Sequence, residues 1–438
     1  MTNLILNTDS YKFSHYACYP AGIKGMYSYI ESRSKNELIV PFGLQYWIKK
    51  NLLTPITAQD IIDADVFAKA HGIPFNKKDW WKVLYEYDGF LPLTIKTMSE
   101  GQIIDSSTPF ISVECTDPDL FWLTSYIETS LLRTIWYGTT IASNGLKYRQ
   151  LFKEYYKLYS DVSYAYNFVD FGSRGVSSED TAEVGGAAHT IFFKSSDNIL
   201  GINAANKYYK CDMAAFSIPA MEHSVQCAFG PEGQYNYILR VLSEYKGKTV
   251  SIVLDGYDVL REVQMVCEQF KRQIITTNTT VVFRLDSGDP LPLIFETLKL
   301  QEQHFGYTTN SKGLKVLNHV KILQGDGVDL QQIASILYAV TGKGFAPENI
   351  VFGSGGALLQ KVNRDTYKFA MKASAILNSN DQWIDIYKDP ITDPGKRSKS
   401  GRFENINTLV YKDGKLYNET TLDRIRLLAN AADTQMIL

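Results

Sequence analysis

The chemistry-bearing residues of this chain gather in a few short stretches. Phe216-Ser217-Ile218-Pro219-Ala220-Met221-Glu222-His223-Ser224 is a run of small residues, broken by a proline, that delivers an acid and a histidine together. A lone imidazole in such a run is more often a buried structural group, unless other groups converge on it. Downstream, Arg284-Leu285-Asp286-Ser287-Gly288-Asp289-Pro290 puts a cation, two acids and a hydroxyl into one short segment. Arg284 and Asp286 are two apart, so on a strand both point to one face. Acids so placed can bind ribose hydroxyls or hold magnesium through water. A capping Asp-Ser-Gly turn with an ion pair is the plainer alternative. Asp255 and Gly325-Asp326-Gly327 repeat the arrangement. Gly353-Ser354-Gly355-Gly356 lets backbone N–H groups approach an anion at a helix start. Arg364 is expected on the helix that follows. Neither the P-loop nor the dinucleotide glycine pattern is matched, so a monoester phosphate fits better than a triphosphate cradle. Phe171 and Arg174 pair an aromatic platform with a phosphate-reading fork. Asp197 ends the next apolar run. A buried carboxylate there prefers a substrate N–H donor and disfavours a second carboxylate.

These residues need elements to position them. Four apolar runs, Val250–Leu254, Val281–Leu285, Val320–Gln324 and Asn349–Phe352, each read as a strand ending at one of those aspartates or glycines. Between them lie helical patterns, at Tyr257–Ile275, Leu291–His304 and the stripe Val328, Leu330, Ile333, Ile336, Leu337, Val340. This is a repeat of parallel βα units, in which functional residues sit at the carboxyl ends of the strands. A closed barrel and an open sheet both obey that rule. Upstream, Met26–Arg33 alternates like a half-buried strand with a solvated end. Ala58–Ala70 reads as a helix stopped by His71-Gly72. Leu91–Thr97 and Phe110–Glu114 read as strands, and Leu120–Tyr159 as two helices broken near Tyr137-Gly138. Asn407–Tyr411 and Lys415–Tyr417 read as a hairpin around Asp413-Gly414. The expected organisation is a discontinuous β-rich α+β domain, 1–165 with 366–438, around an α/β domain at 166–365.

Composition sets the outer bounds. The chain has 438 residues, which exceeds one typical core and suits two domains. Its net charge of −2 gives no global field for nucleic acid or an anionic membrane. The 5 cysteines are dispersed without a CxxC, which argues against a disulfide framework or zinc ribbon and for a reducing compartment. The first residues, Met1–Asp9, carry no signal-peptide pattern, and no run is long and apolar enough to span a bilayer. The cytoplasm is the expected location.

Several of these stretches resemble the nicotinamide phosphoribosyltransferase family of type II phosphoribosyltransferases. They are Thr8–Lys12 with His15-Tyr16, Asp170–Ser178, Ser217–Ser224, Arg284–Pro290, Gln324–Asp329, Phe352–Gln360, and Lys388-Asp389-Pro390 with Lys396–Lys399. They run in order along nearly the whole chain. The resemblance implies an irregular α/β barrel with a second β-rich α+β domain. It implies a pentosyltransferase that joins nicotinamide to phosphoribosyl pyrophosphate, with Mg²⁺, and with ATP as co-substrate. It implies a homodimer whose two active sites are shared between subunits. By motif position Phe171 stacks on the pyridine ring, and Tyr11 of the other subunit covers the opposite face. Asp197 accepts from the carboxamide, and Arg174 meets the product near its phosphate. Arg284 and Asp286 address ribose and substrate. Gly325, Asp326, Gly355 and Gly356 hold the 5′-phosphate and ribose. Arg33 and Arg364 meet pyrophosphate or ATP phosphates. Ser217 is counted among the substrate-binding residues. His223 is the implied site of ATP-dependent phosphorylation, with Asp255 orienting its ring. No protein cage for the metal is implied, because pyrophosphate mainly carries it.

This chain departs from the family at Ser173, where many members carry tyrosine, and at Ala357, which replaces a third glycine. Gly256 stands where serine is expected, which predicts a looser strand end. The nearest rival is a nicotinate phosphoribosyltransferase, disfavoured because Asp197 repels a carboxylate. A non-catalytic binding protein on the same fold fits poorly with the full set of motifs. A barrel lyase or isomerase lacks a convincing lysine at a strand end. The basic run Lys396-Arg397-Ser398-Lys399 reads as a solvated loop or a phosphate lid rather than a nucleic-acid site.

Overall fold

The computed structural model describes residues 3–431; residues 1, 2 and 432–438, the extreme ends of the expected terminal segments, lie outside it. The chain forms two compact units, Met1–Ser143 with Ala204–Asp212 and Val362–Leu438, and Asn144–Asn203 with Met213–Lys361. The sequence places the boundaries at 165/166 and 365/366 instead. The first boundary falls inside the helix Glu128–Tyr159, which is continuous through Gly138, and the short segment Ala204–Asp212 also joins the first unit. One glycine in a helix interior costs only about 1 kcal/mol. Here the small face is used: Thr139 Oγ1 exchanges 3.2 Å hydrogen bonds with the backbone of Phe42, and Ser143 Oγ accepts from Val40 N–H at 3.0 Å. The other half of the helix carries Phe152, whose ring packs against Phe168, Phe193 and Phe352 of the second unit.

The second unit is a six-stranded parallel sheet. Its strands are β1 (Phe168–Asp170), β2 (Ser195–Ser196), β3 (Thr249–Val253), β4 (Thr280–Leu285), β5 (Val320–Gln324) and β6 (Ile350–Ser354). They lie in the order β2-β1-β6-β5-β4-β3. Both edges bond to the proline-broken stretch. Ser196 N–H donates to Phe216 O at 3.1 Å on one side, and Ser251 N–H donates to Pro219 O at 2.8 Å on the other. Residues 216–221 thus act as an irregular stave that closes the sheet, which settles barrel against open sheet. Proline suits this role because a stave that pairs intermittently does not need every N–H.

The helices that follow the strands include α1 (Glu179–His189), α2 (His223–Cys227), α3 (Gln234–Glu244), α4 (Val259–Gln269), α5 (Pro290–Phe305) and α6 (Leu330–Gly342). Their starts are written in the sequence. Asp258 accepts from Arg261 N–H and Asp329 from Gln332 N–H, each cap stabilising by about 1 kcal/mol. The expected single helix over 257–275 ends at Gln269, and a short one, Lys271–Thr276, follows after Phe270.

The first unit holds a seven-stranded antiparallel sheet in which Gly25–Ser32 pairs with both Phe369–Leu377 and Ile111–Cys115. Central placement buries this strand throughout, so the expected solvated end is corrected. Glu31 is 2 % exposed, accepts from Tyr29 Oη and is ion-paired with Lys399 of the basic loop. Lys396, Arg397 and Arg402 also have carboxylate partners, in Asp393, Asp389 and Glu114. The helix Ala58–His71 ends at Gly72 with φ +80°, and the hairpin Thr408–Lys412 with Lys415–Leu416 turns at Asp413-Gly414 with both φ positive, as the sequence predicts.

Candidate functional site

Strand periodicity builds the site. Alternate residues of β3, β4, β5, β6 and β1 face the barrel interior. They line a cavity of about 370 Å³ together with the stave. On β4 the inward row is Thr280, Val282, Arg284, and at its carboxyl end Asp286 follows in the same phase. A volume of this size accommodates one flat heterocycle with a short substituent.

At the carboxyl ends of the strands the expected residues converge. The Arg284 guanidinium lies 5.6 Å from the centre of the Phe171 ring and is ion-paired with Asp286. Phe171 can occupy this place because Gly353 lies beneath it: a Cβ there would come within 2.0 Å of Phe171 Cε2. Gly325 is constrained in the same way, with Asp286 Oδ1 2.8 Å from where its Cβ would be. Asp286 Oδ1 and Arg284 Nε are buried with no hydrogen-bond partner among the described residues. Unsatisfied buried polar groups are costly, so an acceptor and a donor left open side by side mark a place for a polar ligand. Gly353→Ala is expected to displace the Phe171 ring, costing about 1–3 kcal/mol of stability by overpacking. Denaturant unfolding would measure the loss, and an unchanged midpoint would refute the seat assigned to Gly353.

Across the mouth, Ser217 Oγ donates to Asp197 Oδ1 at 2.5 Å. Asp197 is exposed rather than buried as expected: its backbone N–H still donates to Asp170 O at 3.0 Å, but it lies just past the end of β2 and its side chain opens onto the cavity mouth. Its other oxygen remains available as an acceptor. His223 begins α2, with its side chain 46 % exposed, and its Nε2 lies 3.0 Å from Asp255 Oδ1 at the end of β3. The histidine is therefore a surface group oriented by a largely buried carboxylate, not a core residue.

The glycine turn lies beside the Phe171–Gly175 loop. Phe171 N–H donates to Ser354 O at 2.9 Å, and a Cβ on Gly175 would lie 3.4 Å from Gly356 N. Arg174 is exposed on that loop, Gly355 is half-buried, and Gly356 and Asp326 are exposed at their strand ends. The helix after the turn, Gly356–Leu359, is only four residues long. A helix this short adds little dipole to the N–H groups of the turn. Arg364 is beyond that helix, in a turn of the first unit, paired with Asp365 at 3.2 Å. Tyr11, 57 % exposed, and Arg33, half-buried, also belong to the first unit.

Sequence reasoning missed three contributors. Asp170 is fully buried and accepts from Gly172 N–H at 2.7 Å and Asn198 Nδ2 at 3.0 Å, which shapes the loop that presents Phe171. Burial pushes its carboxyl up. Ser251 and Lys321 line the deeper cavity, and burial lowers the Lys321 ammonium. Alternation marks each on its own strand, but only the strand register, which pairs both with Val282, brings them to one face. Gly256 corrects an expectation: its N–H donates to Gln226 Oε1 at 3.0 Å, so the strand end is tied down, not loosened. Among the described residues no three His, Cys, Asp or Glu side chains gather as a metal cage.

Comparison with known proteins agrees with this geometry. Residues 166–420 match the nicotinate phosphoribosyltransferase (NAPRTase) family, and residues 3–95 match the nicotinamide phosphoribosyltransferase N-terminal domain. The chain is 38 % identical to a nicotinamide phosphoribosyltransferase of Xanthomonas campestris, covering 99 % of each chain. It is 32 % identical to one of Mycoplasma pneumoniae, covering 92 % of this chain and 96 % of that one. Among solved structures, human nicotinic acid phosphoribosyltransferase has a TM-score of 0.61 at 14 % identity, covering 98 % of this chain and 93 % of that one. The Pyrococcus furiosus nicotinate-nucleotide pyrophosphorylase has 0.59 at 15 %, covering 100 % and 97 %.

Proposed function

The chain belongs to the nicotinate phosphoribosyltransferase family, and from that premise we propose that it is the enzyme that forms nicotinamide mononucleotide and pyrophosphate from nicotinamide and phosphoribosyl pyrophosphate. The observation that carries the choice of substrate is the Asp197–Ser217 pair at the cavity mouth. Ser217 spends its proton on one carboxylate oxygen. The other accepts a carboxamide N–H, whereas a nicotinate carboxylate would meet like charge. The relatives named nicotinamide phosphoribosyltransferase support the same choice.

The reaction needs no strong base. The pyridine nitrogen uses its own lone pair to bond C1 of the ribose while the C1–O bond to pyrophosphate breaks. Positive charge develops on the ribose and negative charge on the leaving group. Phe171 and Arg284 fix the ring, and the open Asp286 oxygen accepts from ribose hydroxyls. Gly325, Asp326, Gly355, Gly356 and Arg174 serve the 5′-phosphate and ribose. Mg²⁺ would be carried mainly by pyrophosphate, in keeping with its preference for phosphate oxygens and water. When bound it neutralises charge on the leaving group. ATP phosphorylates His223, oriented by Asp255, and hydrolysis of that phosphohistidine drives the equilibrium. The working form is a homodimer in the cytoplasm, with Tyr11, Arg33 and Arg364 completing the partner's site. The exposure of Tyr11 and the dispersed cysteines support this reading.

The decisive experiment is a mass assay for nicotinamide mononucleotide with the purified chain, phosphoribosyl pyrophosphate and Mg²⁺. Nicotinamide is expected to be turned over at least about 10-fold more efficiently than nicotinate, because the repulsion from Asp197 at the exposed mouth is partly screened by water. Preferred turnover of nicotinate would overturn the reading.

A further inference from the structure

We propose that Gln226 and Glu262 are positioning residues for the His223–Asp255 pair, and that the charge on Glu262 makes the pair respond to pH. The consequence for phosphoryl transfer rests on reading His223 as a phosphate acceptor; the geometry does not.

Gln226 lies one turn after His223 on α2 and is fully buried. Its Oε1 accepts the N–H of Gly256, the peptide directly after Asp255, at 3.0 Å. A backbone donor fixes which end of the amide is oxygen. Its Nε2 then donates to Gln234 Oε1 on α3 at 3.0 Å and to Glu262 Oε2 on α4 at 2.5 Å. One amide therefore ties together the helix that carries His223, the strand end that carries Asp255, and the two helices behind them. Gly256 is required for this arrangement. A Cβ at that position would lie 2.4 Å from Gln226 Oε1, so a side chain at 256 and this glutamine cannot share the pose.

Glu262 is 3 % exposed, and its Oε1 has no hydrogen-bond partner among the described residues. Burial pushes its carboxyl up to about 7 against the pull of the Gln226 bond; Asp255 and Asp258 push the same way, and Arg261 opposes them. Tyr237 on α3 and Tyr257 in the turn are the other titratable groups that face it. When Glu262 ionises, a second negative charge sits near Asp255 with one oxygen unsatisfied. Repulsion then works against the strand end that Gln226 holds. The sign follows from a raised acid: protonated Glu262 favours the fold, and that contribution is lost as pH rises from about 4.5 through about 7.

The test compares the whole protein with Glu262→Gln, which keeps the acceptor for Gln226 but cannot ionise. The rate of His223 modification by diethyl pyrocarbonate, read by peptide mass spectrometry, is followed from about pH 6 to 8.5. The two profiles are expected to coincide near pH 6 and to differ at least about 3-fold above pH 7. The fall in unfolding stability between pH 5 and 7.5 in the wild type is expected to shrink in the variant. Gly256→Ala, which displaces Gln226, should alter His223 reactivity at every pH. Superimposed His223 profiles for wild type and Glu262→Gln would overturn the proposal. Phosphohistidine formation with ATP is measured in parallel. Its absence in the wild type defeats the acceptor reading, while the modification profiles still decide the positioning role.

Discussion

Arg284→Ala is expected to lower kcat/KM for phosphoribosyl transfer by at least about 100-fold, equivalent to about 3 kcal/mol of transition-state stabilisation. The size follows from what the guanidinium does in one place. It lies over Phe171, neutralises Asp286 and keeps an open buried N–H at Nε. Removing it leaves the Asp286 carboxylate, 14 % exposed, without its cation, a loss of about 3–5 kcal/mol for a buried pair. Arg284→Lys restores charge but not the planar fork, so it should recover only part of the rate. The double variant Arg284→Ala with Asp286→Asn should fold better than Arg284→Ala alone, because the stranded charge is gone, yet remain as inactive. Steady-state kinetics and denaturant midpoints on the four proteins test this. A loss below about 3-fold for Arg284→Ala would remove Arg284 from the site.

The second large effect is at His223. His223→Ala is expected to eliminate ATP-dependent phosphorylation of the protein and its ATP hydrolysis, while phosphoribosyl transfer falls but stays measurable. The distinction is chemical: transfer uses the lone pair of the substrate nitrogen, so the imidazole is not the base of that step. The 46 % exposure of the ring leaves it reachable by a nucleotide, and Asp255 holds it at 3.0 Å. Asp255→Asn keeps the shape but not the charge that stabilises the ring when it is the phosphoryl acceptor. It should cut phosphorylation by about 10–100-fold, the usual range for loss of such an orienting partner. Retained ATP hydrolysis in His223→Ala would rule out the phosphohistidine and leave the transfer reaction untouched.

Much of this architecture is written locally. The apolar runs that end at Asp255, Asp286, Asp326 and Gly355 mark strands and their carboxyl ends, because period and turn chemistry are properties of neighbouring residues. Caps at Asp258 and Asp329, and the Asp413-Gly414 hairpin, are legible for the same reason. Asp286 beside Arg284 follows from period two alone. Other features depend on contacts far apart in sequence. Nothing local says that Gly138 leaves a helix unbroken; the close approach of Phe42 to Thr139 decides it. Nothing local makes Glu31 buried, since its burial comes from strands on both sides and from Lys399 more than three hundred residues later. The closure of the barrel by residues 216–221 is likewise tertiary, because a stave with two broken ladders has no periodic signature.

The same division runs through the site. Residue order alone supplies the chemical inventory: a histidine, strand-end acids, an arginine and a glycine turn in an order that marks the family. Tertiary structure decided which groups are left open and which are tied. It placed Gly353 under Phe171, left Asp286 Oδ1 without a partner, and set Asp197 at an open mouth rather than in the core. It also turned Gly256 from an apparent weakness into the gap that Gln226 fills. The physical reason is common to all of these. Residue type fixes what a group can donate, accept or carry, but burial and packing, which set its partners and its charge, are fixed only when distant segments meet.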